Sequence, residues 1–165
     1  MIAAKPVSAS MEDYLEAIYQ IVQEKKVARS KEISKELGVT NASVTGALRV
    51  LSERNLINYA PYELITLTGE GNRLAENVVQ RHSMLKEFFI SVLGIDEEEA
   101  GENACKMEHV ITENLQQRLI RFIEFVNTCS TAGGHWIEEF RRYLDHPETG
   151  RSAATCRECM SEVQE

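Results

Sequence analysis

The stretch from Lys31 to Arg54 most constrains what this chain can fold into. Lys31 to Leu37 reads as a short helix capped by Ser30. Gly38-Val39-Thr40 reads as a tight turn, and Asn41 to Arg54 as a second helix. Glycine is free to take positive φ, and Thr40 has the hydroxyl to cap the helix that follows it. Val44, Leu48 and Leu51 recur at i, i+4 and i+7 and face inward, with Ile33 and Leu37 as partners. Asn41, Ala42, Ser43, Thr45, Gly46 and Arg49 remain outside. This is the pattern of a helix-turn-helix. Small residues let its second helix enter the major groove, and Asn, Ser, Thr and Arg can donate to base edges or phosphates. An ordinary corner between two helices has the same spacing, so the next segment bears on the choice. Leu56 to Tyr59 and Leu64 to Leu67 are β-rich runs around Ala60-Pro61-Tyr62-Glu63, which reads as a hairpin. A helix-turn-helix followed directly by a hairpin is a winged helix. Double-stranded DNA is the expected partner, with Arg29, Thr40, Asn41, Ala42, Ser43, Thr45 and Arg49 as the expected contacts.

Ahead of this segment, Ser8 to Glu24 reads as a helix with Ser10 as N-cap. Tyr14, Leu15, Ile18, Tyr19 and Val22 form its apolar stripe. Glu12 and Asp13 fall in the first turn, where the helix dipole favours acids. Asp13 and Glu16 also share a face at i, i+3. They read either as dipole compensation plus a solvated charge or as a pair of ligands.

Behind the winged helix the apolar spacing is helical throughout. Thr68 can cap a long helix from Gly69 to about Leu93, striped by Leu74, Val78, His82, Leu85, Phe89 and Val92. His82 is the polar interruption of that stripe. It suits a core histidine with one hydrogen-bond partner, and equally an inward-pointing ligand. Asp96 to Val110 reads as a further helix, and Asn114 to Phe125 as another, with Leu115, Leu119, Phe122, Ile123 and Val126 apolar. His135 to Leu144 is a last short one. The expected fold is therefore mainly α: an N-terminal winged helix-turn-helix domain over 1–70 and an all-helical dimerisation domain over 71–145. A tail, 146–165, carries a C-x-x-C. A homodimer is expected, because a winged helix reads a two-fold site as a pair.

Charge supports that division. The formal net charge is −8, yet residues 1–68 balance eight Lys/Arg against eight Asp/Glu, and the excess acid lies entirely behind them. A neutral module can approach phosphates while an acidic one does something else. No window approaches the roughly 20 apolar residues of a membrane helix. Met1 to Ser10 also lacks the apolar core of a signal peptide. A cytoplasmic location is expected, with no membrane partner and with the four cysteines as thiols or metal ligands.

In the second half, Cys105-Lys106-Met107-Glu108-His109 places a thiol, a carboxylate and an imidazole at i, i+3 and i+4. On a helix these leave from one face and form a plausible first shell for a transition metal. A half-buried Cys beside a surface Glu-His pair fits the same spacing. In the tail, Cys156 and Cys159, with Cys129 upstream and His135 or His146 as a fourth ligand, can build a structural Zn2+ site, against the plainer reading of free thiols.

These residues together resemble a known family. Ser10-Met11-Glu12-Asp13-Tyr14-Leu15-Glu16-Ala17-Ile18-Tyr19, the segment around Gly38 to Leu51, Leu67-Thr68-x-x-Gly71, Arg81-His82 and Ala104-Cys105-x-x-Glu108-His109-Val110 look like the iron- and manganese-dependent repressors of the diphtheria toxin repressor family. The likeness runs in order from about Ser10 to about Leu119. It is similar to the short manganese transport regulators, without the SH3-like domain of longer members. The resemblance implies a metal site between the first helix and the dimerisation helices, with Asp13, Glu16, His82, Cys105, Glu108 and His109 as ligands. It also implies a metal-activated repressor that controls metal-homeostasis genes from a pseudo-palindromic operator. In manganese-type members a Glu stands at the position of Cys105; iron-type members have the Cys but place a Met at the position of Asp13. The ligand set here is thus a hybrid. An ancillary iron-type site falls on Lys86 and Gly101 and is expected to be absent in that form. A thiolate favours Fe2+ over Mn2+, so Fe2+ is the first choice and Mn2+ the second.

Two other functions compete. A His-Cys-Glu cluster can serve hydrolysis, but no Gly-rich phosphate loop, nucleophile elbow or oxyanion-type motif occurs, and the expectation is not an enzyme. The other is a winged-helix regulator sensing thiol redox state through Cys129, Cys156 and Cys159.

Overall fold

A computed structural model describes residues 7–60 and 64–128, with Ile137, Phe140, Arg141, Tyr143 and Leu144 from the C-terminal part. Among the described residues the chain forms α1 (Ala9–Lys25), α2 (Ser30–Leu37), α3 (Asn41–Glu53), β1 (Ile57–Asn58), β2 (Thr66–Leu67), α4 (Gly69–Ser91), α5 (Glu97–Met107) and α6 (Glu113–Thr128). The fold class is the expected one, mainly α with a winged helix-turn-helix at its start.

Residues of α1, α2, α3 and the wing close over one core. Leu15, Ile18, Ile33, Val44, Leu48, Leu51 and Ile65 are each fully buried in it. The i, i+4, i+7 reading of α3 therefore holds. Gly38 ends α2 at φ 63, in the left-handed region that glycine enters without strain. The Thr40 hydroxyl accepts from the Ser43 N–H at 3.2 Å and caps α3.

Two caps differ from expectation. Ser8 rather than Ser10 holds the N-cap position of α1, and its carbonyl accepts from the N–H groups of Met11 and Glu12 at 2.9 and 3.0 Å. Val7 packs against the core just before it and fixes the earlier start. At α2 the N-cap is Arg29 rather than Ser30: its N–H donates to Glu32 Oε2 at 3.1 Å. Ala28 is bonded both ways to Ile65, at 2.9 Å each, so the chain is extended up to that point.

The wing is shorter than its sequence runs. Ile57 pairs with Leu67 and Asn58 with Thr66, antiparallel, and the Ala28–Ile65 bridge extends the pairing. Residues 61–63 of the expected turn lie outside the described residues. Thr68 ties wing to helix: its hydroxyl donates to the Asn55 carbonyl at 2.8 Å and accepts from the Gly71 N–H at 3.1 Å.

α4 joins the two halves. Ala75, with Leu74 beside it, belongs to the first core, while Met84, Leu85 and Phe89 belong to a second core with Ala100, Ala104 and Ile123. Ala100 and Ala104 are fully buried, and such small side chains let α5 lie close against α4. The expected boundary at residue 70 falls in the first turn of this continuous helix. α6 is less covered than its stripe suggests: Ile123 is buried, whereas Leu115, Phe122 and Phe125 are exposed in the single chain. Of the last expected helix, only Ile137, Phe140, Arg141, Tyr143 and Leu144 are described; Arg141 donates to the Ile90 and Ser91 carbonyls at the end of α4. Cys129, His135, His146, Cys156 and Cys159 lie outside the described residues, as does the tail 146–165. Among the described residues no helix is long and apolar enough to cross a membrane.

Candidate metal centre

Three elements converge on one carboxylate. Glu108 follows the last turn of α5 with its side chain fully buried. From α4, His82 places Nδ1 at 2.7 Å from Glu108 Oε2. From α1, Asp13 places Oδ1 at 2.7 Å from His109 Nε2, and that nitrogen is 3.4 Å from Glu108 Oε1. One ligand atom each from Asp13, Glu108 and His109 lies within 4.8 Å of the others, and the same holds for Glu16, His82 and Glu108. The two groups share Glu108. The i, i+3 spacing of Asp13 and Glu16 sends one residue to each.

The helix expected through Val110 ends earlier. α5 stops at Met107, and Val110 N–H bonds back to the Met107 carbonyl at 3.1 Å, closing a turn. Glu108 keeps right-handed helical angles and its N–H still bonds to Ala104 at 2.9 Å. Glu108 and His109 therefore reach the same side as predicted, although His109 is already past the helix.

The donor set suits a divalent cation. Among the described residues Glu108 Oε1 is buried with no hydrogen-bond partner, His109 Nε2 standing 3.4 Å away, and a buried carboxylate that is only partly compensated is costly. Carboxylates and imidazoles are ligands for Mn2+ and Fe2+ alike.

Three groups of this cluster hold protons more tightly than usual. Burial, reinforced by the charge of Glu108, raises the Glu16 pKa to about 7. His82 is raised by its hydrogen bond to Glu108. For His109, burial opposes the charged form, but the hydrogen bond to Glu12 and the charges of Asp13 and Glu108 outweigh it, and the pKa rises. All three bind protons more tightly folded than unfolded. Their contribution to the metal-free fold is fully present below the unfolded values and fades as pH rises through the folded ones. Metal ligands must shed those protons, so metal affinity runs the other way. Thermal melts in chelator should show Tm falling by several degrees from pH 5 to pH 8, whereas the shift caused by saturating Mn2+ should grow over the same range. A metal-induced shift that shrinks with pH would contradict this cluster as the binding site.

Cys105 is placed differently from the rest. It is exposed and belongs to neither group of converging ligand atoms. Burial, then the charges of Glu108, Asp13 and Glu16, raise its pKa, so the thiol form is favoured at neutral pH. At the ancillary position, Lys86 Nζ pairs with Glu97 Oε1 at 2.8 Å and Gly101 faces open space. Sequence reasoning missed Glu12 and Arg81. In the sequence Glu12 is a first-turn acid suited to the helix dipole; in the structure its carboxylate contacts both Arg81 and His109.

In the winged helix-turn-helix, Arg29, Thr40, Asn41, Ala42, Ser43 and Arg49 are exposed and Thr45 is half-buried. The Thr45 hydroxyl donates to the Asn41 carbonyl at 2.9 Å, and that of Thr40 is engaged as a cap. The Ser43 hydroxyl is also engaged, with that of Thr40 at 3.0 Å, so Asn41 and the two arginines hold the more accessible donors.

A winged helix joined by one continuous helix to a second helical core defines the class as a two-domain winged-helix regulator of transcription. Residues 7–64 match the N-terminal DNA binding domain of the iron dependent repressors, and residues 68–137 match their metal binding and dimerisation domain. The chain belongs to the iron dependent repressor family. It is 37% identical over 119 residues to an uncharacterised HTH-type transcriptional regulator of Methanocaldococcus jannaschii, covering 72% of this chain and 95% of that one. It is 30% identical over 139 residues to the HTH-type transcriptional regulator MntR of Shouchella clausii, covering 84% and 96%. Among solved structures, T. acidophilum IdeR is similar at 28% identity and TM-score 0.64, over 73% of this chain and 56% of that one. A manganese-dependent transcriptional repressor in complex with manganese is similar at 28% identity and TM-score 0.64, over 70% and 53%. The chain thus spans little more than half the length of these two structures. Nothing in these likenesses favours the thiol redox reading.

Proposed function

We propose that this chain is a metal-activated repressor that binds a pseudo-palindromic operator as a homodimer in the cytoplasm. Its activating metal is Fe2+ as first choice, with Mn2+ as the alternative. Asp13, Glu16, His82, Glu108 and His109 hold it, with Cys105 at the edge of the site. The boundary between the DNA-binding and dimerisation domains lies near residue 70. The observation that carries the reading is the buried Glu108 carboxylate, with one oxygen lacking a hydrogen-bond partner among the described residues and two candidate ligand groups meeting on it. Support for manganese comes from the MntR relatives and from the neighbour solved with manganese; the family's name supports iron. The exposed Leu115, Phe122 and Phe125 of α6 support a partner subunit on that face.

A bound divalent cation supplies positive charge to a cluster of carboxylates. Asp13 and Glu16 belong to the DNA-binding half, whereas His82, Glu108 and His109 belong to the helical half. Ligands drawn from both halves bias the spacing of the two recognition helices, α3 and its copy, toward two operator half-sites. The shift is no larger than the difference in metal affinity between the two arrangements. Neutralising the carboxylates also removes a repulsion for DNA phosphate.

An anaerobic titration of operator binding against Fe2+, Mn2+ and Zn2+ tests this. Operator binding should require metal; a Cys105→Ser variant whose Fe2+ and Zn2+ responses weaken more than its Mn2+ response places the thiolate among the ligands, and equal responses leave it outside them. Tight binding to operator in the presence of chelator would sink the proposal.

A further inference from the structure

Glu12 is next to Asp13 on α1, yet it belongs to neither group of converging ligand atoms. Its Oε2 instead accepts twice, from His109 Nδ1 at 2.8 Å and from Arg81 Nη2 at 3.0 Å. The three side chains are largely covered: 18% of Glu12, 19% of Arg81 and 10% of His109 is exposed. The other ring nitrogen, His109 Nε2, is the one that points at Asp13 and Glu108. Two consecutive residues of α1 therefore hold the two nitrogens of one imidazole, and only one of those nitrogens faces the metal centre.

A neutral imidazole carries one N–H and one lone pair, and its neighbours decide which nitrogen has which. A ligating histidine must turn its lone pair to the metal, and a carboxylate on the far nitrogen fixes both the tautomer and the ring's orientation. We propose that Glu12, held in place by Arg81, is the positioning residue for His109: Nδ1–H donates to Glu12 and leaves Nε2 to bind the metal. This rests on the metal centre proposed above. Arg81 has a defined part in it. With its carboxylate engaged by a guanidinium, Glu12 is occupied as an acceptor and turned away from the ligand groups. The same oxygen joins α1, α4 and the segment after α5, so the position of α1 is tied to the ring that binds metal.

A plain ion pair between α1 and α4 has the same distances, and only metal binding tells the two apart. The full chain, stripped of metal, is titrated with Co2+, with its visible absorption bands as the readout and metal-free melting run alongside. Glu12→Ala should weaken Co2+ binding by roughly 10- to 100-fold and change the bands. Glu12→Gln keeps an oxygen that accepts from Nδ1–H and should recover most of that loss. Wild-type affinity and bands in Glu12→Ala overturn the proposal, as does a loss in Glu12→Gln equal to that in Glu12→Ala. Should Glu12→Ala not fold, Arg81→Ala decides: a weaker, spectrally altered Co2+ complex supports the proposal, and an unchanged one overturns it. If wild type binds no Co2+, or His109→Ala binds it as tightly as wild type, the metal-centre reading itself fails. That result is distinct from failure of Glu12 alone.

Discussion

Glu108→Gln should abolish metal-dependent operator binding and leave the metal-free fold at least as stable as wild type. Glu108 is the only residue common to both ligand groups, so this one change strikes both positions. Structural metal sites bind with roughly 10–16 kcal/mol shared over four ligands, or about 3 kcal/mol per ligand, so affinity should fall by about 100-fold or more. Stability responds to different terms. The carboxylate is fully buried, one of its oxygens has no hydrogen-bond partner among the described residues, and Glu16 repels it. Glutamine keeps the volume, and its amide oxygen can still accept from His82 Nδ1, now at 2.7 Å from Oε2. At a pH where His82 and His109 are neutral, glutamine removes a buried charge without breaking an ion pair to either ring, so the metal-free fold keeps or gains stability; at lower pH the lost attraction to both imidazoles works against it. Metal titration and a melt in chelator, run on the same sample, check both halves. A variant that loses metal binding because it melts well below wild type would refute the argument, as would one that still represses in response to metal.

Much of this site was legible in the sequence, and for identifiable reasons. Helical periodicity places Asp13 with Glu16, and Glu108 with His109, because three- and four-residue spacing survives small errors in helix ends. That is why α5 can stop at Met107, short of Val110, without moving Glu108 from its expected side. Periodicity also orders Val44, Leu48 and Leu51 correctly in the first core. It says nothing about contacts between helices. Glu12, Arg81 and His109 are separated by 69 and 97 residues along the chain from Glu12, and only packing of α1 on α4 makes them neighbours. Cys105 is the reverse case. Its spacing matched its partners, but α5 carries its side chain to an exposed position outside both groups. Spacing fixes a direction from the helix axis, not the depth a side chain reaches. The caps failed for a further reason: Ser10 and Ser30 have good cap chemistry, but Val7 packing and the Ala28–Ile65 bonds set where the helices begin.

Gly71→Ala should produce the largest loss of stability of any glycine-to-alanine change among the described glycines. A Cβ on Gly71 would lie 1.8 Å from the Leu56 carbonyl oxygen and 2.8 Å from its carbon. Both are backbone atoms, and neither can turn away as a side-chain tip would. The Leu56 carbonyl is also engaged, accepting from the Thr68 N–H at 3.0 Å, and Leu56 itself is buried. Alanine gains up to about 1 kcal/mol over glycine in a helix interior. Overpacking costs about 1–3 kcal/mol, and more where the structure cannot relax. An overlap this deep with backbone belongs at or beyond the upper end, so the clash wins. At about 2–4 °C per kcal/mol for a chain of this size, a net loss of about 3 kcal/mol lowers Tm by roughly 10 °C. Relief by movement would part α4 from the chain entering β1, and so shift the wing relative to the helix that carries His82. Operator binding should then fall even with metal saturating, while Co2+ affinity, which depends on residues further along α4 and α5, stays near wild type at low temperature. Gly101→Ala is the control. It lies within α5 with open space at its Cβ, so the helix preference acts alone and Tm should hold or rise. A Gly71→Ala protein melting within about 2 °C of wild type, less than 1 kcal/mol on the same scale, would mean that α4 and the wing are not in the contact described.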